Sequence, residues 1–391
     1  MSVHQLPRSE SHGGEGTESH PHPVTIDTEY LISTLWTLLG IPSPSGYTDR
    51  IVHWLGEELE RLGVPFELSR RGAMRATLRG QGTKQKAMRA VVSHVDTLGA
   101  MVKQLKPNGR LALTPVGHWS SRFAEGGRVT VFTDTQGTRR GTVLPLKASG
   151  HTFNEEIDTQ PVSWENVEVR TDDFCTSGEE LAHLGYNIGD FIAFDPCPEL
   201  NNNFIVSRHL DNKAGVASML AAIRAVVEGN VPLPVDCHMI FTISEEVGTG
   251  ASAILHGEVA EMVAVDNATP APGQNSRERG VTIAMADSTG PFDYHLTHRL
   301  LDLCQRFQVE HQRDVFKYYR CDAASAIEAG NDMRVALACF GADGSHGYER
   351  THVNALSALS ELIALYVQTD LAVPRDRLVM GSLKGFPQQP D

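Results

Sequence analysis

Five segments of this 391-residue chain place ionisable groups directly after a run of apolar residues. AVVSHVD ends in His94 and Asp96, and IVSRHLDN carries Asp211 ahead of an Ala-rich stretch. FTISEE ends in Glu245 and Glu246, EMVAVD in Asp266, and RVALACFGADGSH in His346. Singly, each has an ordinary explanation. An aspartate before a helix caps it, a lone histidine is more often hydrogen-bonded structure than a ligand, and two adjacent glutamates usually make a solvated turn. Jointly these explanations fail. In an open α/β sheet the residues at the carboxyl ends of parallel strands converge on one crevice, where so many acids would leave uncompensated buried charge.

A pair of divalent cations resolves that conflict. Two such ions offset the charges of Asp211, Glu246 and Asp266, and the residual positive charge lowers the pKa of a water from ~16 towards ~7. Mixed histidine and carboxylate donors suit zinc, cobalt or manganese better than iron–sulfur or copper chemistry. If one carboxylate bridges, each ion gains it, one histidine, one further acid and an open position. His94 and Asp96 stand two apart on an extended segment and so share a face, which lets Asp96 accept the second N–H of the imidazole. Adjacent residues leaving a strand diverge, so Glu246 is read as a metal ligand. Glu245 is then the general base that takes a proton from water and passes it to the leaving amine.

The elements around these segments read as an α/β fold. Helices are expected at Thr25–Gly40, Thr48–Gly63, Asn212–Glu228, Tyr294–Glu310, Asp322–Ala329 and Asn354–Gln368, with a helical turn at Ser252–Gly257. Strands are expected at Arg89–Ser93, Asp236–Ser244, Glu261–Val265 and Arg334–Phe340. Such alternation implies a mixed, largely parallel sheet with helices on both faces. From about 106 to 203 the chain instead shows short alternating strands and turns (GRLALTPVG, GGRVTVFTD, TRRGTVLPL, ENVEVRT, GDFIAF), with a helical turn at Gly178–Leu184. That pattern predicts a small β-barrel inserted into a catalytic domain made of 24–105 and 204–391. Residues 1–23, rich in Gly, Ser, Glu and His, are expected to be a disordered leader.

Forty-eight acidic against 34 basic residues give a formal charge of −14, which argues against nucleic acid or an anionic membrane as partner. No apolar stretch approaches the ~20 residues of a membrane span, and the amino terminus lacks the apolar core of a secretory signal. Six scattered cysteines without a C-x-x-C pair read as reduced thiols, so a cytoplasmic location is expected. His151, within the β-rich insertion, is expected at the surface.

In order along the chain, SHVDTLGAMV, RHLDNKAG, SEEVGTGA, VAVDNATP and SHGYERTH resemble the glutamyl- and deblocking-aminopeptidase family, the tetrahedral aminopeptidases. The resemblance spans roughly Thr25 to Gln368 and includes the insertion, which in that family is a PDZ-like barrel. It implies His94, Asp211, Glu246, Asp266 and His346 as ligands of two metal ions, with Asp211 bridging. Glu246 and His346 would complete one ion's set, His94 and Asp266 the other's. It further implies Glu245 as general base and Asp96 as the aspartate that orients His94. Short peptides cut from the amino end are the implied substrates, and homo-oligomers from dimer to dodecamer the implied assembly, with the insertion as dimerisation and lid domain. The chain departs from the family pattern at Thr97-Leu98-Gly99, in the loop after EEVG, and around His346, where Arg350 and His352 are added. These departures bear on substrate preference and resemble a branch linked to osmoprotectant (N-acetylglutaminylglutamine amide) metabolism. A related carboxypeptidase or amidohydrolase acting on a blocked or amidated peptide would use the same ligands. It would need a basic group for a carboxylate, and Arg208, Lys213 and Arg350 lie near the motifs. A catalytically silent assembly protein would need a defect, yet every ligand type is present.

Overall fold

The computed structural model describes residues 21–81, 88–255 and 257–390. Its framework is a nine-stranded sheet. Four strands, Cys237–Thr242, Met88–His94, Val259–Ala268 and Arg334–Gly341, lie side by side in that order and run parallel. Every residue of Cys237–Thr242 is buried, so both faces of the sheet are covered there, as an unbroken apolar run demands. Met74–Leu78 and Phe66–Leu68 extend one edge antiparallel. Val281–Asp287 extends the other, pairing antiparallel with Arg334–Gly341 and parallel with His311–Val315.

The helix Leu210–Glu228 packs on Met88–His94 and Val259–Ala268 and meets the helices Thr28–Gly40 and Val353–Val367. Its run of Ala, Gly and Ser allows that close approach, and every residue from Leu210 to Ile223 is buried. Asp49–Arg61 begins after Thr48 and ends before Gly63, whose φ of +70° reverses the chain. The helix expected to reach Glu310 stops at Phe307, because Gln308 turns left-handed (φ 58°) and its N–H caps the Cys304 carbonyl. The chain then forms the strand His311–Val315. The helical turn expected at Ser252–Gly257 is a single 3₁₀ turn at Ala251–Ala253, and residue 256 lies outside the described residues.

The β-rich segment closes into a six-stranded barrel in the order Gly99–Leu105, Leu111–Val116, Val167–Thr171, Gly137–Pro145, Arg128–Thr133, Phe191–Phe194. Alternate residues fill it, among them Val102, Leu111, Leu113, Val129, Val131, Val143, Val169 and Ile192. The boundary expected at 105/106 falls inside this barrel. Gly99–Leu105 is its first strand, and Lys106–Arg110 is only the hairpin to the second, closed by Lys106 N–H to Arg110 C=O. Downstream, Glu199–Asn201, Phe204–Ser207 and Glu349–His352 form a small antiparallel sheet that sets Ser207 opposite Glu349. Of the expected leader, residues 1–20 lie outside the described residues, but His22 does not hang free. Its N–H and C=O both bond the Gln368 side chain. His151 is exposed, and among the described residues no helix is long and apolar enough to cross a membrane.

Candidate metal centre

The parallel strands end in register, with Thr242 opposite His94, Ala264 opposite Val92 and Asp266 opposite Cys339. Their carboxyl ends therefore deliver His94, the loop carrying Glu245 and Glu246, Asp266, and the loop carrying His346 to one crevice. Asp211 comes from a different direction. The hairpin Glu199–Ser207 leads into His209, whose left-handed backbone (φ 67°) turns the chain, and Asp211 enters in the first, non-helical residues of Leu210–Glu228. The half-buried His209 ring holds that turn against the barrel by bonding the Phe194 carbonyl at 3.0 Å.

All seven residues singled out in the sequence meet here. Asp211 lies between the two histidines, its Oδ1 3.1 Å from His94 Nε2 and its Oδ2 3.4 Å from His346 Nε2. His94 Nε2 is also 3.9 Å from Asp266 and 3.7 Å from Glu245, and His346 Nε2 is 3.7 Å from Glu246. Two groups of donor atoms result, His94–Asp211–Asp266 and Asp211–Glu246–His346, and they share Asp211.

Asp96 sits differently from expectation. His94 Nδ1 bonds the Asp96 backbone carbonyl at 2.9 Å, while the carboxylate stands 3.6 Å away. The fully buried carboxylate accepts the Ser45 hydroxyl at 2.5 Å and the backbone N–H groups of Glu245 and Glu246 at 3.2 and 3.3 Å. It thus anchors the turn that aims the two glutamates apart.

Three further groups had not been singled out. Buried Glu349 accepts the Asp211 N–H through one oxygen and the His346 N–H through the other, both at 3.0 Å. Asn267 donates its amide to Asp211 at 2.6 Å. His346 Nδ1 bonds the backbone carbonyl of His118, 3.0 Å away in a barrel loop. That loop approaches closely because Gly117 (φ +84°) has no Cβ; one built there would lie 2.5 Å from the Leu98 side chain. Glu349 sits three residues beyond His346 in SHGYERTH, a spacing that offered a signal. The His118 carbonyl offered none, since any residue has one.

The electrostatics record too much negative charge in too little water. Burial, then the Asp211 charge, pushes Asp266 up to about 7 and Glu349 up to about 8. Burial pushes Glu245 and Glu246 well above the carboxylate range, helped at Glu245 by Asp266 and Asp322 and at Glu246 by Asp211. Burial works against protonation of His346, yet Asp211 and Glu246 push it up to about 10. Burial would also raise Asp211, but the two imidazoles hold it well below its usual value. Glu246 Oε1 and Asn267 Oδ1 are buried without a hydrogen-bond partner, which is costly unless something else meets them. Divalent cations fit this donor set. Bound there, they would neutralise the crowded carboxylates, accept the lone pair of each Nε2 whose Nδ1 is already engaged, and give the orphaned Glu246 oxygen a partner.

Comparison with known proteins points the same way. The family model described as M42 glutamyl aminopeptidase matches residues 72–362. YhfE of Bacillus subtilis (strain 168), which carries an aminopeptidase name, is 34% identical over 335 residues, 85% of this chain and 96% of the relative. Two solved structures share the fold. A TET aminopeptidase from the marine sediment archaeon Thaumarchaeota archaeon SCGC AB-539-E09 has a TM-score of 0.78 at 17% identity, over 87% of this chain and 96% of that one. Pyrococcus horikoshii TET1 peptidase has a TM-score of 0.76 at 23% identity, over 86% and 99%.

Proposed function

The chain belongs to the M42 glutamyl aminopeptidase family, and from that premise we propose that it removes the amino-terminal residue of short peptides with the help of two divalent cations. The observation that carries this reading is Asp211, whose two oxygens each face a different histidine. One cation would be held by His94, Asp211 and Asp266, the other by Asp211, Glu246 and His346; zinc, cobalt and manganese all suit these donors. Bound there, the cations supply Lewis acidity, lowering the pKa of water towards neutrality and polarising the scissile carbonyl.

The chain's own groups do the rest. Glu245, largely buried and not itself needed in either donor set, takes the proton from the attacking water and returns it to the leaving amine. Asp96 fixes where Glu245 points through the backbone N–H it accepts. The carbonyls of Asp96 and His118 hold the two imidazoles with Nε2 turned inward.

The test is hydrolysis of free-amine peptides and their N-acetylated forms by zinc- or cobalt-loaded protein, with a chelator control. Cleavage of the free-amine set alone, abolished by chelator, is the expected result; cleavage confined to blocked peptides would replace the aminopeptidase with an amidohydrolase. Glu245→Gln should retain both ions and lose about 10²–10⁴-fold in kcat; full activity would remove Glu245 from its role. Pyrococcus horikoshii TET1 assembles into a tetrahedron or a large octahedral shell, and we infer homo-oligomers here as well. Phe174 (97% exposed) and Ile188 (71%) on the barrel loops are side chains that an interface would cover. Light scattering that returns a monomer would end that inference.

A further inference from the structure

A narrow gap beside the metal centre is lined by Asp211, His346 and Glu349 together with Trp119, Phe194 and Arg208. Trp119 and Phe194 meet edge to face with centroids 4.9 Å apart, making a rigid aromatic wall. Arg208 stands beside it, three residues before Asp211, with its guanidinium 5.9 Å from the Phe194 ring and 5.8 Å from the Tyr348 ring. It is half-buried, and of its five N–H donors only one Nη1–H is engaged, with the Phe123 carbonyl at 2.7 Å.

Several other arginines withdrawn from solvent meet a carboxylate, although half-buried Arg299 forms no ion pair among the described residues. Arg89 pairs with Glu261, Arg139 with Asp173, Arg140 with Asp195, and Arg334 with Asp293 and Asp376. Arg208 forms no ion pair among the described residues, and burial lowers its pKa. A half-buried guanidinium with unused donors, beside a reaction centre, suits a planar anion.

On the reading of the centre as a peptidase site, we propose that Arg208 is a specificity-determining residue that binds a carboxylate of the peptide substrate. The flat fork of the guanidinium takes both oxygens, and the aromatic wall shields the pair from water. The carboxylate comes either from the carboxyl terminus of a very short peptide or from an acidic amino-terminal side chain. The chemistry at Arg208 is the same for both.

Two substrate pairs separate the sources: Ala-Ala against Ala-Ala-NH2, and Glu-Ala-NH2 against Gln-Ala-NH2. Each is assayed for kcat/KM on metal-loaded wild type, Arg208→Gln and Arg208→Lys, with thermal melts as a check on folding. The expected result is that wild type prefers the carboxylate member of one pair by about 10–100-fold, the range of a charge-assisted hydrogen-bonded pair. Arg208→Gln should erase that preference through KM, and Arg208→Lys should restore part of it. A preference that survives in Arg208→Gln overturns the proposal. So does an equal loss on charged and neutral members, since Arg208 would then only offset the charge of the centre or hold Phe123. Calorimetric binding of the same pairs to Glu245→Gln protein, alone and with Arg208→Gln added, reads the subsite without turnover. If no peptide is cut by wild type, the peptidase reading fails. The binding arm still decides Arg208, because equal affinity for both members of each pair refutes it.

Discussion

Replacing Glu349 by Gln tests whether the metal centre depends on a residue that touches no metal. The carboxylate accepts one backbone N–H from Asp211 and one from His346, each at 3.0 Å and each through a separate oxygen. A glutamine side chain has the same shape but only one acceptor, so its NH2 must face one of those N–H groups. One hydrogen bond to a charged acceptor, worth about 1.5–3 kcal/mol, is lost, and a buried donor is left without a partner. Either Asp211 or His346 must then shift. Converted at 1.4 kcal/mol per tenfold, this predicts metal affinity lower by about 10–100-fold, the range seen when a group behind a metal ligand is removed. The metal-free protein should respond less. There burial and Asp211 push Glu349 up to about 8, so at pH 7 it is already largely protonated and the neutral amide should leave metal-free stability nearly unchanged. Calorimetric titration of the chelator-treated protein with zinc or cobalt measures the first quantity, and thermal melts with and without metal the second. Wild-type affinity for both ions would refute the reasoning, because the two N–H bonds would then play no part in ordering the centre.

Asp96→Asn tests the corrected role of that aspartate. An amide cannot accept the Ser45 hydroxyl and both glutamate N–H groups, so kcat should fall about 10–100-fold as Glu245 loses its aim. The His94 position should survive, because its partner is the Asp96 carbonyl, which the substitution keeps; loss of metal confined to the His94 position would contradict this. Far from the centre, Asp314 is buried, and burial alone would raise its pKa. The Ser276 hydroxyl and the N–H groups of Val315, Ser276 and Asn275 outweigh that and lower it. A depressed folded pKa contributes stability that is complete above the unfolded value of ~3.9 and is lost as pH falls through the folded value. Asp314→Asn should therefore cost about 1–3 kcal/mol at pH 7 and progressively less below pH 4, measured by denaturant unfolding at both. A penalty that does not shrink in acid would show that the carboxylate charge is not what holds the loop.

The parts of this molecule legible in its sequence are those where side-chain type and strand position coincide. His94, Glu246 and Asp266 follow apolar runs that could only be buried parallel strands, and the register of those strands lines them up. The strand His311–Val315 has no strand signature in the sequence, because HQRDV carries polar residues, as an edge strand does, and imitates the end of the preceding helix. The start of the barrel is hidden for a related reason. Gly99–Leu105 continues directly from the segment that bears His94 and Asp96, and nothing between them breaks the chain. Glu349 was within reach, since an acid three residues past a ligating histidine, on a strand paired with the approach to Asp211, has two N–H groups to accept. The His118 carbonyl was not. A backbone acceptor has no residue type to read, and it reaches His346 only because a 228-residue separation closes when the barrel docks. That contact makes the centre a joint product of both parts of the fold. The strands bring the ligands to the crevice, but the orientation of one ligand is held by the barrel.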